Sequence, residues 1–203
     1  MNTIVRTKRA GRRALAGLAL PAMLSLAASG CVKAPGSEVK DRVDAMNRES
    51  APERLVAHAR DFASIGDYTR AEQYLNAARE RGADERKIIL LLLEVCVRDH
   101  RYRDALQHGE GFLREHPEDQ RTRLVLAALE AAVGYDTQAE TELERVLGAE
   151  PKNADAHYAL AVLYRDGLGS PGRADPHFRE YLALRPDGAH AEEARGSLMT
   201  VIQ

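Results

Sequence analysis

The side chains best suited to chemistry at neutral pH are the seven histidines and two cysteines of the 203-residue chain. An imidazole can carry a proton or bind a metal, and a thiolate can attack or ligate. Either use needs several such groups held together. His58, His100, His108, His116, His157, His177 and His190 are scattered along the sequence. HExxH, CxxC, GxSxG and glycine-rich phosphate-loop patterns do not occur. His108 and His116, eight residues apart, could share a helix face, but no third ligand is evident beside them. Acidic pairs such as Glu192-Glu193 suit a solvated face or the first turn of a helix. Cys96 lies in an apolar run and reads as a small buried hydrophobe. The sequence therefore names no catalytic residue, no metal ligand and no cofactor, and it points neither to an enzyme nor to a small-molecule substrate.

The other cysteine, Cys31, has a different setting. Residues 1–13 carry Arg6, Lys8, Arg9, Arg12 and Arg13 and no acid, and an apolar run from Ala14 to Ala28 follows, broken only by Gly17, Pro21 and Ser25. This is the anatomy of a secretory signal, and the run is short of the roughly 20 residues a membrane-spanning helix needs. Leu26-Ala27-Ala28-Ser29-Gly30-Cys31 resembles the lipobox of bacterial lipoproteins, with Ala28 where Leu is commonest. An ordinary signal peptide followed by a chance cysteine is the plainer alternative. The resemblance implies a signal over 1–30, lipid on Cys31 (radioactive palmitate would label it) and a linker or short helix over 31–50. Val32 in place of Asp leans the resemblance towards the outer membrane and its periplasmic side. Stable anchoring takes more than one acyl chain, which such modification supplies. Without residues 1–30 the chain has 24 basic and 31 acidic residues, a net charge of −7. That is no footprint for nucleic acid. With Cys31 lipidated, Cys96 would have no disulfide partner.

The elements that must position any site follow from a repeat. Ala71, Ala105 and Ala139 are spaced 34 and 34, and Ala174 follows 35 later; Pro117, Pro151 and Pro186 keep the same beat. Gly66 and Gly134 lie 68 apart with His100 midway, and Tyr68 and Tyr102 are 34 apart. Alanine suits the point where two helices of one hairpin touch, glycine ends the first helix, and proline stops the second. Asp84, Asn153 and Asp119 stand where they could cap the next helices. A composition of 5% aromatic and 30% charged residues without Trp also suits helices rather than a β-sandwich.

The stretches Gly66-Asp67-Tyr68-Thr69-Arg70-Ala71, His100-Arg101-Tyr102-Arg103-Asp104-Ala105, Gly134-Tyr135-Asp136-Thr137-Gln138-Ala139 and Ala159-Leu160-Ala161-Val162-Leu163-Tyr164 resemble tetratricopeptide repeats. The resemblance implies an all-α, right-handed superhelix of about four helical hairpins over 51–203. The repeats would be 52–85, 86–119, 120–153 and 154–188, closed by a capping helix over 189–202 with Ala191, Ala194, Leu198 and Ile202 on one side. The pattern has departures. His58, Arg123 and Glu130 stand where large apolar residues are usual; Gly109 and Gly111 lie inside a helix, and the fourth repeat has one extra residue near Gly167–Gly172.

In that family the first helix of each hairpin lines a concave groove. The register carried over gives Val56 and Arg60, then Leu90, Glu94 and Val97, then Leu124, Ala128 and Ala131, then Tyr158, Val162 and Arg165. Most are apolar, whereas the repeats that clamp acidic chaperone tails use Lys and Asn there. Ile88–Leu93 is apolar throughout, followed by Val95, Cys96 and Val97. Either neighbouring helices cover this stretch, or the segment Val39–Met46 lies in the groove, or a partner does.

The resemblance thus implies a lipid-anchored periplasmic scaffold of a Gram-negative envelope. It would bind a helix or extended segment of another envelope protein and serve a pilus, secretin, outer-membrane assembly or motility machine. The alternative is an adaptor or regulator of a peptidoglycan-active enzyme.

Overall fold

The computed structural model describes the backbone of residues 35–199 and side chains from 39 to 199; the signal, Cys31 and Ile202 lie outside the described residues. The described chain is helical without a strand. Its helices are α1 (Pro35–Glu49), α2 (Pro52–Ser64), α3 (Tyr68–Glu80), α4 (Glu85–Arg98), α5 (Tyr102–Glu115), α6 (Gln120–Ala132), α7 (Asp136–Ala149), α8 (Ala154–Val162), α9 (Pro171–Leu184) and α10 (Ala191–Gly196). None is long and apolar enough to cross a membrane.

Local chemistry sets the boundaries. Asp67, Asp84, Asp119 and Asn153 each accept a hydrogen bond from a first-turn backbone N–H, at Arg70, Arg86, Thr122 and Ala156. Such a cap satisfies a donor that the helix itself leaves unpaired. Pro52 and Pro171 open α2 and α9, where a missing N–H costs nothing. The turns within the first and third hairpins place Gly66 and Gly134 at φ 82, and the second uses His100 at φ 58. A β-carbon at positive φ is strained, so His100 holds a glycine's conformation at a cost of about 1 kcal/mol.

Helices α2–α3, α4–α5, α6–α7 and α8–α9 pair as hairpins and stack in order, with α10 on α9. The described chain is an all-α solenoid of four helical hairpins with a C-terminal cap, the architecture that the tetratricopeptide resemblance implies. Ala71, Ala105, Ala139 and Ala174 are all buried where the hairpin helices meet. The extra residue of the fourth repeat is absorbed as a π-helical turn over Leu163–Gly167, closed by Leu168 N–H donating to Leu163 O at 2.9 Å. The cap is shorter than its apolar spacing suggests. It ends at Gly196, with Ala191 and Ala194 buried and Leu198 packed beyond the helix end.

The core falls into two parts. One gathers Leu55, Leu75, Ile88, Leu92 and Leu93 from the first two hairpins, and the other gathers Leu143, Leu160, Phe178 and Tyr181 from the last two. The small cluster Leu106, Leu113 and Leu126 bridges α5 and α6, and Val125 and Leu129 of α6 pack against the N-terminal core. At this seam Gly109 occupies the place that Leu75, Leu143 and Phe178 hold in the other repeats, all fully buried. The Leu126 and Leu93 side chains reach into the space that this glycine leaves.

The segment before the first hairpin, read from the sequence as a linker or short helix over 31–50, is helical over Pro35–Glu49. Helix α1 packs lightly against α2, and Val39, Val43 and Met46 are exposed. The segment Val39–Met46 therefore does not occupy the groove.

Candidate partner-binding groove

Helices α4, α6 and α8 share one face because each is the first helix of its hairpin. Side chains one turn apart on each helix point to that face. Of the run Ile88–Val97, neighbouring helices bury Ile88, Ile89, Leu92, Leu93, Val95 and Cys96. Leu90 and Val97 are only half-buried and look onto the face.

Two cavities occupy it. The first, of 550 Å³ between α4 and α6, is lined by Leu90, Leu93, Glu94, Val97, Arg98, Arg121, Val125 and Leu129. Its rim is charged, and the Arg98 guanidinium is ion-paired with Glu94 at 3.1 Å. The second, of 490 Å³ between α6 and α8, is lined by Ala127, Ala128, Ala131, Ala132, Leu143, Tyr158, Ala159, Val162, Leu163 and Gly167, with Asp136 and Asp166 at its edge. The alanines of α6 let α6 and α8 leave this space between them. Gly167 admits Asp136, whose Oδ1 would stand 2.9 Å from a β-carbon there.

The structure thus brings Leu90, Glu94 and Val97 to one cavity and Ala128, Ala131, Tyr158 and Val162 to the next. Leu124 lines neither and packs against the C-terminal core. Val56 is half-buried against the N-terminal core, and Arg60 is exposed on α2 beyond both cavities. Arg165 is turned to the cap: it donates to Glu193 at 2.9 Å and to Asp166 at 2.7 Å, and lies over the Phe178 ring. Tyr158 is also tied there. Its hydroxyl donates to Glu193 at 2.5 Å, and its ring stacks on His190 with centroids 4.0 Å apart. Glu193 is held below the usual carboxylate range by these two donors. The cap therefore closes one end of the groove.

Register alone missed Val125, Leu129 and Arg121, which complete the first cavity. Their signal was present, since 121, 125 and 129 repeat every four residues on one α6 stripe. Asp136 and Asp166 were not legible, because the π-helical turn that brings Gly167 against α7 has no separate sequence mark.

The residues with latent chemistry are elsewhere. Cys96 is fully buried, and burial pushes its thiol up to about 11, so it is inert as a nucleophile. His108 and His116 are not brought together: His116 Nε2 sits 3.1 Å from Glu85, and His108 lies 4.0 Å from Glu72. Glu85, Glu115 and His116 have ligand atoms within 4.8 Å of one another, but this group is a largely exposed ion-paired corner away from the groove.

Residues 97–163 match the tetratricopeptide repeat family. No curated protein matches the chain significantly. Among solved structures the chain resembles YrrB, described as a tetratricopeptide-repeat protein with an unusual peptide-binding site, at 18% identity and a TM-score of 0.59 over 79% of this chain and 88% of that one. A tetratricopeptide repeat protein from Parabacteroides merdae gives 23% identity and a TM-score of 0.62 over 72% of this chain and 58% of that one. The portion of MamA from Desulfovibrio magneticus RS-1 that begins at residue 41 gives 17% and 0.59 over 71% and 84%. At these identities the likeness concerns the fold.

Proposed function

We propose that this tetratricopeptide-repeat protein is a scaffold holding a segment of another envelope protein against the face shared by α4, α6 and α8. One observation carries the reading: two neighbouring cavities, of 550 and 490 Å³, are lined mostly by Leu, Val and Ala and flanked by charged residues. Apolar pockets in a row suit apolar anchors of a bound helix or extended strand, and flanking charges fix its direction. YrrB, similar in fold, is described as having a peptide-binding site. In this reading the protein is not itself an enzyme.

Location rests on the sequence. The basic start, short apolar run and Ala28-Ser29-Gly30-Cys31 support export and lipid on Cys31. The scaffold then stands on the outer membrane facing the periplasm, in reach of a pilus, secretin or motility machine. Cys31→Ser should abolish palmitate labelling and leave the signal uncut. A mutant that still fractionates as a mature membrane protein contradicts the lipid anchor.

The partner is tested by copurification from detergent-solubilised membranes through a tag at Gln203. Recovery of pilus, secretin or motility proteins supports this reading. Recovery of cell-wall hydrolases instead supports a regulator of a peptidoglycan-active enzyme.

A further inference from the structure

The seam between the second and third hairpins holds a cavity of 640 Å³ on the opposite side of α6 from the groove. Helix α6 forms its floor with Arg123, Leu126 and Glu130, and α5 and α7 form its walls. The other repeats show what belongs there. Where the third repeat has Glu130, its counterparts are Phe62, Cys96 and Tyr164; where the second has Gly109, its counterparts are Leu75, Leu143 and Phe178. The Glu130 position has thus exchanged apolarity for charge, while the space left at Gly109 is taken by Leu126 and Leu93.

The floor is buried but not satisfied. Arg123 is 7% exposed and donates to Glu142 and, at 2.7 Å, to Pro117 O. Glu142 also accepts from Arg145 at 2.5 Å, so that carboxylate is neutralised. Glu130 has no such partner. It is 6% exposed, and its Oε2 is buried without a hydrogen bond. Burial, then the nearby carboxylates of Glu142 and Glu110, push its carboxyl up to about 7, opposed only by Arg145. Arg114, Arg123 and Arg145 also line the cavity, but none of them is hydrogen-bonded or ion-paired to Glu130, and a buried carboxylate left unpaired is costly unless a cation joins it. The apolar flank of Leu113 and Leu126 suits an alkyl stem.

We infer that this cavity is a second binding site, which takes an ammonium or guanidinium group on an alkyl stem and pairs it with Glu130. It is independent of the groove, since Arg123, Leu126 and Glu130 lie on the opposite stripe of α6 from Arg121, Val125 and Leu129. The cation can be a partner's Lys or Arg side chain, or a free organic amine.

The probe is agmatine, titrated calorimetrically into purified full-length protein at pH 8. Saturable binding is expected, weakened at least tenfold in Glu130→Gln and unchanged in Leu90→Glu, which alters the groove. The methyl resonances of Leu113 and Leu126 should shift with the same saturation curve. A parallel titration with acetyl-Gly-Arg-Gly-amide separates the sources: tighter binding than agmatine marks a partner's side chain, and weaker binding marks a free amine. Absence of saturable binding of either probe, or equal binding by Glu130→Gln with unchanged circular dichroism, overturns the inference. Failure here leaves the groove reading untouched, because the groove uses other residues.

Discussion

Leu126 fills the space that Gly109 leaves: its Cδ1 would stand 2.9 Å from a β-carbon built on that glycine. This single contact explains how α5 tolerates a glycine at a core position of the repeat. Two glycines so close together weaken the helix, each by about 1 kcal/mol against Ala. The nearest group to a β-carbon on Gly111 is Arg114 Nη2, at an ordinary 3.6 Å. Gly111→Ala should therefore stabilise the protein by about 1 kcal/mol, raising the melting temperature by roughly 2–4 °C in a calorimetric scan. Gly109→Ala should gain less, because Leu126 must move. A larger gain at 109 than at 111 would mean that the seam is looser than its packing shows.

Glu130 makes stability depend on pH in an unusual direction. Its carboxyl is raised from 4.5 to about 7 by burial and neighbouring carboxylates. Below the unfolded value both states hold the proton and there is no penalty. The penalty develops as pH rises above 4.5 and is complete above about 7. Glu130→Gln should then stabilise by about 3 kcal/mol at pH 8 and by almost nothing near pH 4.5. Urea unfolding of both proteins at the two pH values measures the difference. An equal effect at both would show that Glu130 ionises freely in the folded chain.

The fourth hairpin has the opposite dependence. His157 Nε2 lies 3.0 Å from Pro151 O, a carbonyl that can only accept, so that nitrogen carries a proton. His157 Nδ1 then accepts from His177 Nδ1–H at 3.0 Å. Burial, then His157 and Arg173, lower the affinity of His177 for a second proton. The folded value is depressed below 6.5, so the contribution is full above 6.5 and is lost as pH falls below it. Relative to wild type, His177→Phe should become steadily more stable as pH is lowered from 7 towards 5. A constant difference between the two proteins across that range contradicts the assigned proton arrangement.

The hairpins were legible because the repeat is enforced by sterics at fixed positions. Ala71, Ala105, Ala139 and Ala174 have no room to vary, and the turn glycines need positive φ. The groove was legible in part. Leu90, Val97, Ala128 and Val162 follow from the register that the family resemblance implies, but the contacts of Arg165 do not, since they depend on where the cap carries Glu193. Arg123 and Glu130 could be recognised as departures from the repeat, yet not as one cavity. That outcome depends on α5, α6 and α7 together, since Leu113, Glu130 and Glu142 line it from three helices. The extra residue of the fourth repeat was visible as a count, and its π-helical form was not.

The central claim is that the face shared by α4, α6 and α8 is where another protein binds. Photo-crosslinking in the living cell tests it whatever the partner's identity. Benzoylphenylalanine placed at Leu90 or Val162 should give a discrete adduct with one protein, identified by mass spectrometry. The same group at Glu144, exposed on α7 away from the groove, should give none. Adducts formed from Glu144 but not from Leu90 or Val162 would contradict the account.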